Sequence, residues 1–317
     1  MKYIIILTAG LILAGCSFSK KDESKESSSK TNIEERIHKA KHLFESDPKK
    51  AIESLESISK ENTKNADVFD QLALLYFRNN QFNEAGDKWE IALKNMEQNP
   101  SADIFANYAF YLVEMGQAGF AEPYAEKALK LNPNQEKALN IVGVIELSHE
   151  NPNIEKALNC FLKSAEVNPN NDVTFNNLGY IHFMFDADLD TAHYFYSKAL
   201  TINPENTEAL NYRTVVNMQL KNYESAFKDA TTLLELDSTM THMYSNLSFI
   251  YSGLEQPEKA LQYGKKALEI DGEDVSAYSN VGLAYAKLEN VDSCCYYFSK
   301  VPNPSVEIIP YIQKFCK

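Results

Sequence analysis

The apolar and polar positions of this chain repeat along its length. A small residue followed by a helical pattern of apolar side chains returns at intervals of 34 to 36 residues. A period of this length, made of two helices, is typical of a helical solenoid. The small residues are Ala51, Ala85, Ala121, Ala157, Ala192, Ala226, Ala260 and Cys294.

Each small residue is predicted to begin the second helix of a repeat. A larger residue often follows four positions later, as at Trp89 and Tyr196, and an alanine seven positions later, as at Ala199. Spacings of four and seven lie on one helical face. Several of these helices are expected to stop at an Asn-Pro pair such as Asn203-Pro204, because proline cannot continue a helix.

The first helix of each repeat carries a large residue, then Leu-Gly and an aromatic residue, as in Phe175, Leu178, Gly179 and Tyr180. Together with the second helix, this pattern closely resembles the tetratricopeptide repeat (TPR), from about residue 67 to residue 302. The resemblance implies an all-α, right-handed superhelical solenoid of about eight helix pairs with a C-terminal capping helix. Extra residues before Ala157 and Ala192 are interpreted as longer turns.

The N-terminus has a short basic start, an apolar run and the sequence Leu13-Ala14-Gly15-Cys16. Its ending resembles the lipobox of bacterial lipoproteins. Residues 1–15 are therefore predicted to be a signal peptide, residues 16–31 a lipidated Cys16 with a disordered tether, and residues 32–317 the solenoid with its cap. The resemblance implies a lipid-anchored protein of the bacterial envelope, at the outer membrane. An uncleaved anchor or an ordinary signal peptide is the alternative.

The formal net charge of −13 argues against nucleic acid as a partner. Cys294 or Cys295 could bond Cys316 and clamp the cap, whereas buried thiols are the other interpretation. His38 and His42 have metal-like spacing but no third ligand is evident, so no metal is expected. No catalytic constellation or cofactor motif is present, and the chain is predicted not to be an enzyme.

In the tetratricopeptide fold the first helices line a concave groove. The corresponding positions here combine recurrent amides with aromatic residues and methionines. An amide ladder could hold an extended peptide backbone, or it could serve helix packing instead. The predicted partner-binding residues are Phe77, Asn107, Phe110, Asn140, Asn177, Tyr180, Phe183, Met184, Asn211, Tyr212, Met218, Asn246, Phe249 and Asn280.

The first part of this groove is acidic, with Asp67, Asp70, Asp103 and Glu114 against Arg78. The expected partner is an envelope protein that presents an apolar segment with some basic character, extended or helical. The leading hypothesis is a non-enzymatic scaffold for assembly of a secretion, pilus or cell-wall machine. The alternative is outer-membrane capture of a glycan or nutrient together with a transporter, although the short turns argue against it.

Overall fold

The computed structural model describes residues 27–96, 99–240 and 242–316, with side chains from Ile33 onward. Within these ranges the chain forms seventeen α-helices and no strand, so the predicted all-α class is confirmed. The first helices of the pairs are α1 (Ser27–Leu43), α3 (Ala66–Arg78), α5 (Ala102–Glu114), α7 (Glu136–Ser148), α9 (Asp172–Met184), α11 (Thr207–Gln219), α13 (His242–Gly253) and α15 (Val275–Lys287). The second helices are α2 (Pro48–Glu61), α4 (Phe82–Asn95), α6 (Ala118–Leu131), α8 (Ile154–Val167), α10 (Leu189–Ile202), α12 (Tyr223–Leu236), α14 (Pro257–Ile270) and α16 (Val291–Phe298), and α17 (Ile309–Phe315) follows.

The helices form two compact units that divide between Pro169 and Asn170. Unit 1 holds the four pairs from α1 to α8, and unit 2 holds the four pairs from α9 to α16 together with α17. In each unit, every helix packs against its pair partner and the second helix packs against the first helix of the next pair. This nearest-neighbour packing is the architecture of a solenoid.

The recurring small residue lies one turn inside the second helix. All eight occupy the fourth helical position and are fully buried, from Ala51 in α2 to Cys294 in α16. The sequence-based start at this residue was therefore wrong by three residues. The residues of the first turn vary from one repeat to the next: Asn153 and Asp188 cap their helices by accepting hydrogen bonds from backbone N–H groups, whereas Gln81 and Asn222 make no such bond.

The mid-helix glycines allow a large ring to lie directly on the backbone of the first helix. A Cβ atom placed on Gly143 would stand 2.6 Å from the ring of Phe161, and one on Gly179 would stand 2.8 Å from the ring of Tyr196. Both rings are fully buried. Glycine is therefore required by the close approach of the second helix, which offsets its poor helix propensity.

We expect Gly143→Ala to lower the free energy of unfolding of unit 1 by about 2 kcal/mol, because the buried Phe161 ring cannot move aside. The matched control is Gly119→Ala in α6, where a Cβ would meet nothing within 4 Å. Urea unfolding followed by the fluorescence of Trp89, the one tryptophan of the chain, measures both variants. Equal stabilities of the two variants would contradict the packing argument.

The extra residues of the fourth and fifth pairs lie in turns, as predicted. Three residues join α3 to α4 and α11 to α12, whereas five join α7 to α8 and four join α9 to α10. The helices themselves keep their lengths, so the insertions leave the packing register of both pairs unchanged. Among the described residues, no long insertion interrupts a repeat.

The C-terminal segment covers the end of unit 2. Val301 and Ile308 are buried beside Phe298, with Ile312 and Phe315 of α17 packed around them. Pro310 lies in the first turn of α17. Cys295 and Cys316 form a disulfide, while Cys294 is a buried free thiol. The bond therefore joins α16 to the end of the cap.

The N-terminal boundary differs from the sequence-based one. Helix α1 begins at Ser27, so the last five residues assigned to the tether are helical. Ile33 and Ile37 of α1 pack against the hydrophobic core of unit 1. The helix continues from them toward the N-terminus, because each further residue adds one backbone hydrogen bond. The predicted signal peptide, Cys16 and the rest of the tether lie outside the described residues. None of the described helices is both long enough and apolar enough to cross a membrane.

Candidate functional site

The first helices of unit 2 carry a patch of apolar side chains at the surface. On α9 and α11, the Tyr180 and Tyr212 rings lie 5.6 Å apart and the Phe183 and Tyr212 rings lie 6.3 Å apart. Met184 and Phe185 follow at the end of α9 and are 44% and 41% exposed. We call Tyr180, Phe183, Met184, Phe185 and Tyr212 the unit 2 patch. Two adjacent exposed residues of this size, backed by half-buried rings, form a surface suited to apolar binding.

Phe185 is the member of this patch that the sequence pattern missed. It is the residue that caps the C-terminus of α9, one position beyond the last helical residue. The repeat pattern identifies residues on a helical face, and a residue past the helix end has no place in that pattern. The adjacent pair Met184-Phe185 before the acidic turn was the available signal.

The remaining predicted residues with accessible side chains lie on the same set of first helices. Phe110 of unit 1 is half-buried, and its ring is 5.5 Å from that of Phe77. In unit 2, the Phe249 ring is 6.2 Å from that of Tyr223. The other half-buried members of the predicted set are Asn211, Met218 and Asn246.

Five of the predicted contacts are buried within the chain, and they are Phe77, Asn107, Asn140, Asn177 and Asn280. The four amides therefore do not offer an accessible ladder to a peptide. The Nδ2 of Asn140 donates to Ser164 Oγ at 2.8 Å, and the Nδ2 of Asn280 donates to the Ser245 carbonyl at 2.9 Å. Neighbouring helices accept the hydrogen bonds of both amides, so Asn140 and Asn280 serve helix packing. The prediction of partner contact is corrected for the four buried amides and stays a prediction for half-buried Asn211 and Asn246.

Asn107 belongs to a buried polar network in unit 1. Its Nδ2 donates to both carboxylate oxygens of Asp70 at 3.0 Å, and its Oδ1 accepts from Lys137 Nζ at 2.6 Å. Trp89 Nε1 donates to the same Asp70 carboxylate at 2.9 Å. Burial raises the pKa of Asp70, and the hydrogen bonds from Asn107 and Trp89 oppose that shift. The network joins α3, α4, α5 and α7, so Asp70 is a structural residue and not part of an open acidic groove.

Glu114 is the acidic residue of the predicted groove whose environment is most unusual. Its Oε1 is buried and has no hydrogen-bond partner within the described structure. Burial raises the pKa of this carboxyl to about 7 from an ordinary value of 4.5. Between these two pH values the folded chain keeps a proton that the unfolded chain releases, so this group makes the protein less stable as pH rises.

We expect Glu114→Gln to raise the free energy of unfolding at pH 8 by about 1 to 2 kcal/mol, after a discount for the partly exposed carboxyl. At pH 4 the two proteins should be equally stable, because both then carry a neutral side chain at this position. Urea unfolding at the two pH values, followed by Trp89 fluorescence, measures the difference. A stabilisation that is the same at both pH values would contradict the assigned cause. Glu90→Gln, at an exposed position of α4, is the control.

The charges near the unit 2 patch are acidic. Asp186 follows Phe185 directly and is 46% exposed, with its Oδ2 2.8 Å from His182 Nδ1. The nearby cation Arg213 is occupied by a bidentate pair with buried Asp229, at 2.7 and 2.8 Å. An apolar surface beside an exposed carboxylate favours an apolar ligand that also carries positive charge.

Parts of this chain are similar to known proteins. Residues 241–274, which span α13 and α14, match the model of the tetratricopeptide repeat. The chain is 30% identical over 138 residues to the BBSome complex member BBS4 of Bos taurus, covering 44% of this chain and 26% of that protein. It is 31% identical over 83 residues to the small glutamine-rich tetratricopeptide repeat-containing protein 2 of Saccharomyces cerevisiae, covering 26% of this chain and 24% of that protein. The chain thus spans about a quarter of the length of these curated relatives.

Solved structures share the fold. The structure from the functional characterization of Pseudomonas aeruginosa pilF has a TM-score of 0.58 at 18% identity, covering 67% of this chain and 94% of that one. The Cut9 and Hcn1 hetero-tetramer of APC/C gives 0.59 at 13% identity, covering 93% and 60%. A tetratricopeptide repeat protein from Parabacteroides merdae gives 0.50 at 19% identity, covering 80% and 99%.

These matches confirm the tetratricopeptide solenoid that the sequence predicts. A solenoid of this kind presents an extended surface and serves generally as a scaffold for protein–protein interaction. Proteins built from such repeats bind partner proteins and are generally not catalysts.

Proposed function

We propose that this chain is a non-catalytic scaffold of the bacterial envelope that binds an apolar, basic segment of a partner protein at the unit 2 patch. The observation that carries the proposal is the exposed pair Met184 and Phe185, beside the half-buried rings of Phe183 and Tyr212. Apolar side chains exposed to water forgo the free energy of burial, and an exposed patch of them is typical of a binding surface.

The acidic surroundings specify the partner further. Asp186 lies at the edge of the unit 2 patch, and the Arg213 guanidinium is neutralised by Asp229. Lysine or arginine residues that flank the partner's apolar side chains would therefore meet a carboxylate and not a competing cation. The partner segment binds as an extended chain or a short helix, with its apolar residues on the rings and its cations toward Asp186.

A peptide selection tests this function. Peptides from a random display library, selected on the full chain, should be enriched in apolar residues together with Lys and Arg. Met184→Ser with Phe185→Ser should weaken their binding about tenfold or more, because these two side chains are the exposed members of the patch. The control carries Tyr194→Ser and Tyr296→Ser, which are 59% and 57% exposed on the second helices. Equal binding to the two double variants would refute the assignment.

We propose a lipid anchor at Cys16, which is supported by the sequence Leu13-Ala14-Gly15-Cys16. Acyl chains on this cysteine would hold the scaffold at the outer membrane of the envelope. Metabolic labelling with a clickable palmitate analogue should mark the wild-type chain and leave Cys16→Ser unlabelled. Label on both chains, or on neither, would reject the anchor at this position.

A further inference from the structure

The α7–α8 pair of unit 1 lacks the aromatic packing seen in three pairs of unit 2. In those three pairs, a ring on the first helix contacts a ring placed three residues after the small residue of the second helix. These contacts are His182 with Phe195 at 5.5 Å, Tyr251 with Tyr263 at 5.1 Å, and Tyr285 with Tyr297 at 5.5 Å. The equivalent positions of the α7–α8 pair hold Glu146 and Cys160. A carboxylate and a thiol thus replace two rings.

This replacement leaves space between α6, α7 and α8. A cavity of about 240 Å³ lies there, and Glu146 and Cys160 both line it. Its other walls are partly apolar, formed by Leu129, Val142 and Ile145, and partly charged, formed by Glu122, Glu126 and Lys156. Polar groups from α6, α7 and α8 therefore line one volume.

Three metal-ligating side chains converge beside this cavity. One carboxylate oxygen each from Glu122 and Glu146 and one ring nitrogen of His149 lie within 4.8 Å of one another. Two carboxylates and an imidazole form a ligand set that zinc and related divalent metals accept. Ligand atoms around such a metal stand roughly 3.4 Å apart, given bond lengths of about 2.1 Å. The side chains of half-buried Glu122 and exposed His149 can rotate, which brings their ligand atoms to this separation from the carboxylate of buried Glu146.

We propose that Glu122, Glu146 and His149 form a binding site for a divalent transition metal of the zinc type. Lys156 competes for this site, since its Nζ lies 2.5 Å from Glu146 Oε1. The Lys156 side chain is 48% exposed, whereas that of Glu146 is 8% exposed. The ammonium can therefore swing into water and let the metal take its place on the fixed carboxylate. Lys156 acts as the competitor of the metal.

Two other groups of metal-ligating side chains on the described part of the chain must be kept from binding metal during the test. His38 and His42 are exposed one turn apart on α1, with ring centroids 4.3 Å apart, and they would also attract a metal ion. Cys294, Cys295 and Cys316 also lie together, but the disulfide uses two of their three sulfur atoms. All measurements therefore use the full chain with His38→Ala and His42→Ala, kept oxidised.

Isothermal titration of this background with Zn²⁺ tests the site. We expect one bound ion per chain, and about tenfold or greater loss of affinity in His149→Ala and in Glu122→Gln, because each removes a ligand. Lys156→Met should bind more tightly, since the competitor is gone. Glu126→Gln is the matched control, because Glu126 lines the cavity but is not one of the three ligands, and its affinity should stay unchanged.

The results distinguish loss of a metal ligand from loss of the fold. His149 is exposed at the end of α7, so its substitution leaves the fold intact, and circular dichroism verifies this for each variant. Absence of Zn²⁺ binding to the background, or affinity that His149→Ala and Glu122→Gln both leave unchanged, would overturn the site. Tighter binding by Lys156→Met together with weaker binding by His149→Ala would establish both the ligands and the competitor.

Discussion

Asp70→Ala should lower the free energy of unfolding of unit 1 by about 3 to 5 kcal/mol, because it removes one partner from a buried network of charges and hydrogen bonds. Trp89 Nε1 and Asn107 Nδ2 would both lose their acceptor. Lys137, whose pKa burial lowers and the Asp70 charge raises, would lose a compensating carboxylate. The Trp89 and Asn107 donors would then lack this acceptor in the interior, where their desolvation is not offset.

The measurement is urea unfolding followed by the fluorescence of Trp89, which donates to Asp70 itself. The matched control is Asp67→Ala, which removes an exposed carboxylate from the same helix. We expect the control to unfold at nearly the wild-type urea concentration, because a surface charge contributes little. If Asp70→Ala proved as stable as Asp67→Ala, the network would not be what joins the helices of unit 1.

Cys316→Ser should free the C-terminal cap from unit 2, with a local cost of about 3 kcal/mol in the closed-loop account of disulfides. The bond closes a sequence separation of 21 residues between α16 and the end of α17. Ile308 packs against Val301 and Phe298, and Ile312 and Phe315 of α17 pack around them. In a solenoid the stability of each helix depends mainly on its neighbours, so the loss of stability should be confined to the C-terminal end of unit 2.

Hydrogen exchange followed by mass spectrometry reports this effect directly. Amides of α17 (Ile309–Phe315) should exchange faster in Cys316→Ser, while those of α13 (His242–Gly253) should keep their protection. Cys160→Ser, which replaces a free thiol of unit 1, is the control. Unchanged protection of α17 in Cys316→Ser would show that packing alone holds the cap.

The sequence predicts the helix pairs well because their signal is local. Small residues such as Ala85 and Ala192 recur with the period of the repeat, and their burial follows from that period alone. The five-residue and four-residue turns after α7 and α9 appear as extra residues in the same count. The start of the second helix was misplaced because the small residue is the most regular position of the repeat, whereas the residue that begins the helix varies, as at Phe82, Leu189 and Pro257.

The roles of the polar side chains could not be predicted in the same way. Asp70, Trp89, Asn107 and Lys137 come from four helices, and no local spacing reveals that they meet. An asparagine on the inner side of a helix looks the same in sequence whether it faces a ligand or a neighbouring helix. Packing decides between these cases, and it assigns Asn107, Asn140 and Asn280 to neighbouring helices.

We expect a partner protein to contact the unit 2 patch on the first helices. A photo-crosslinking amino acid placed at Met184, compared with the same residue placed at Tyr194, tests it in the native envelope. Both positions are exposed, on α9 and α10 respectively. We predict a crosslinked partner protein from position 184 and none from position 194. A crosslink from position 194 alone would place the partner on the second helices and contradict the account.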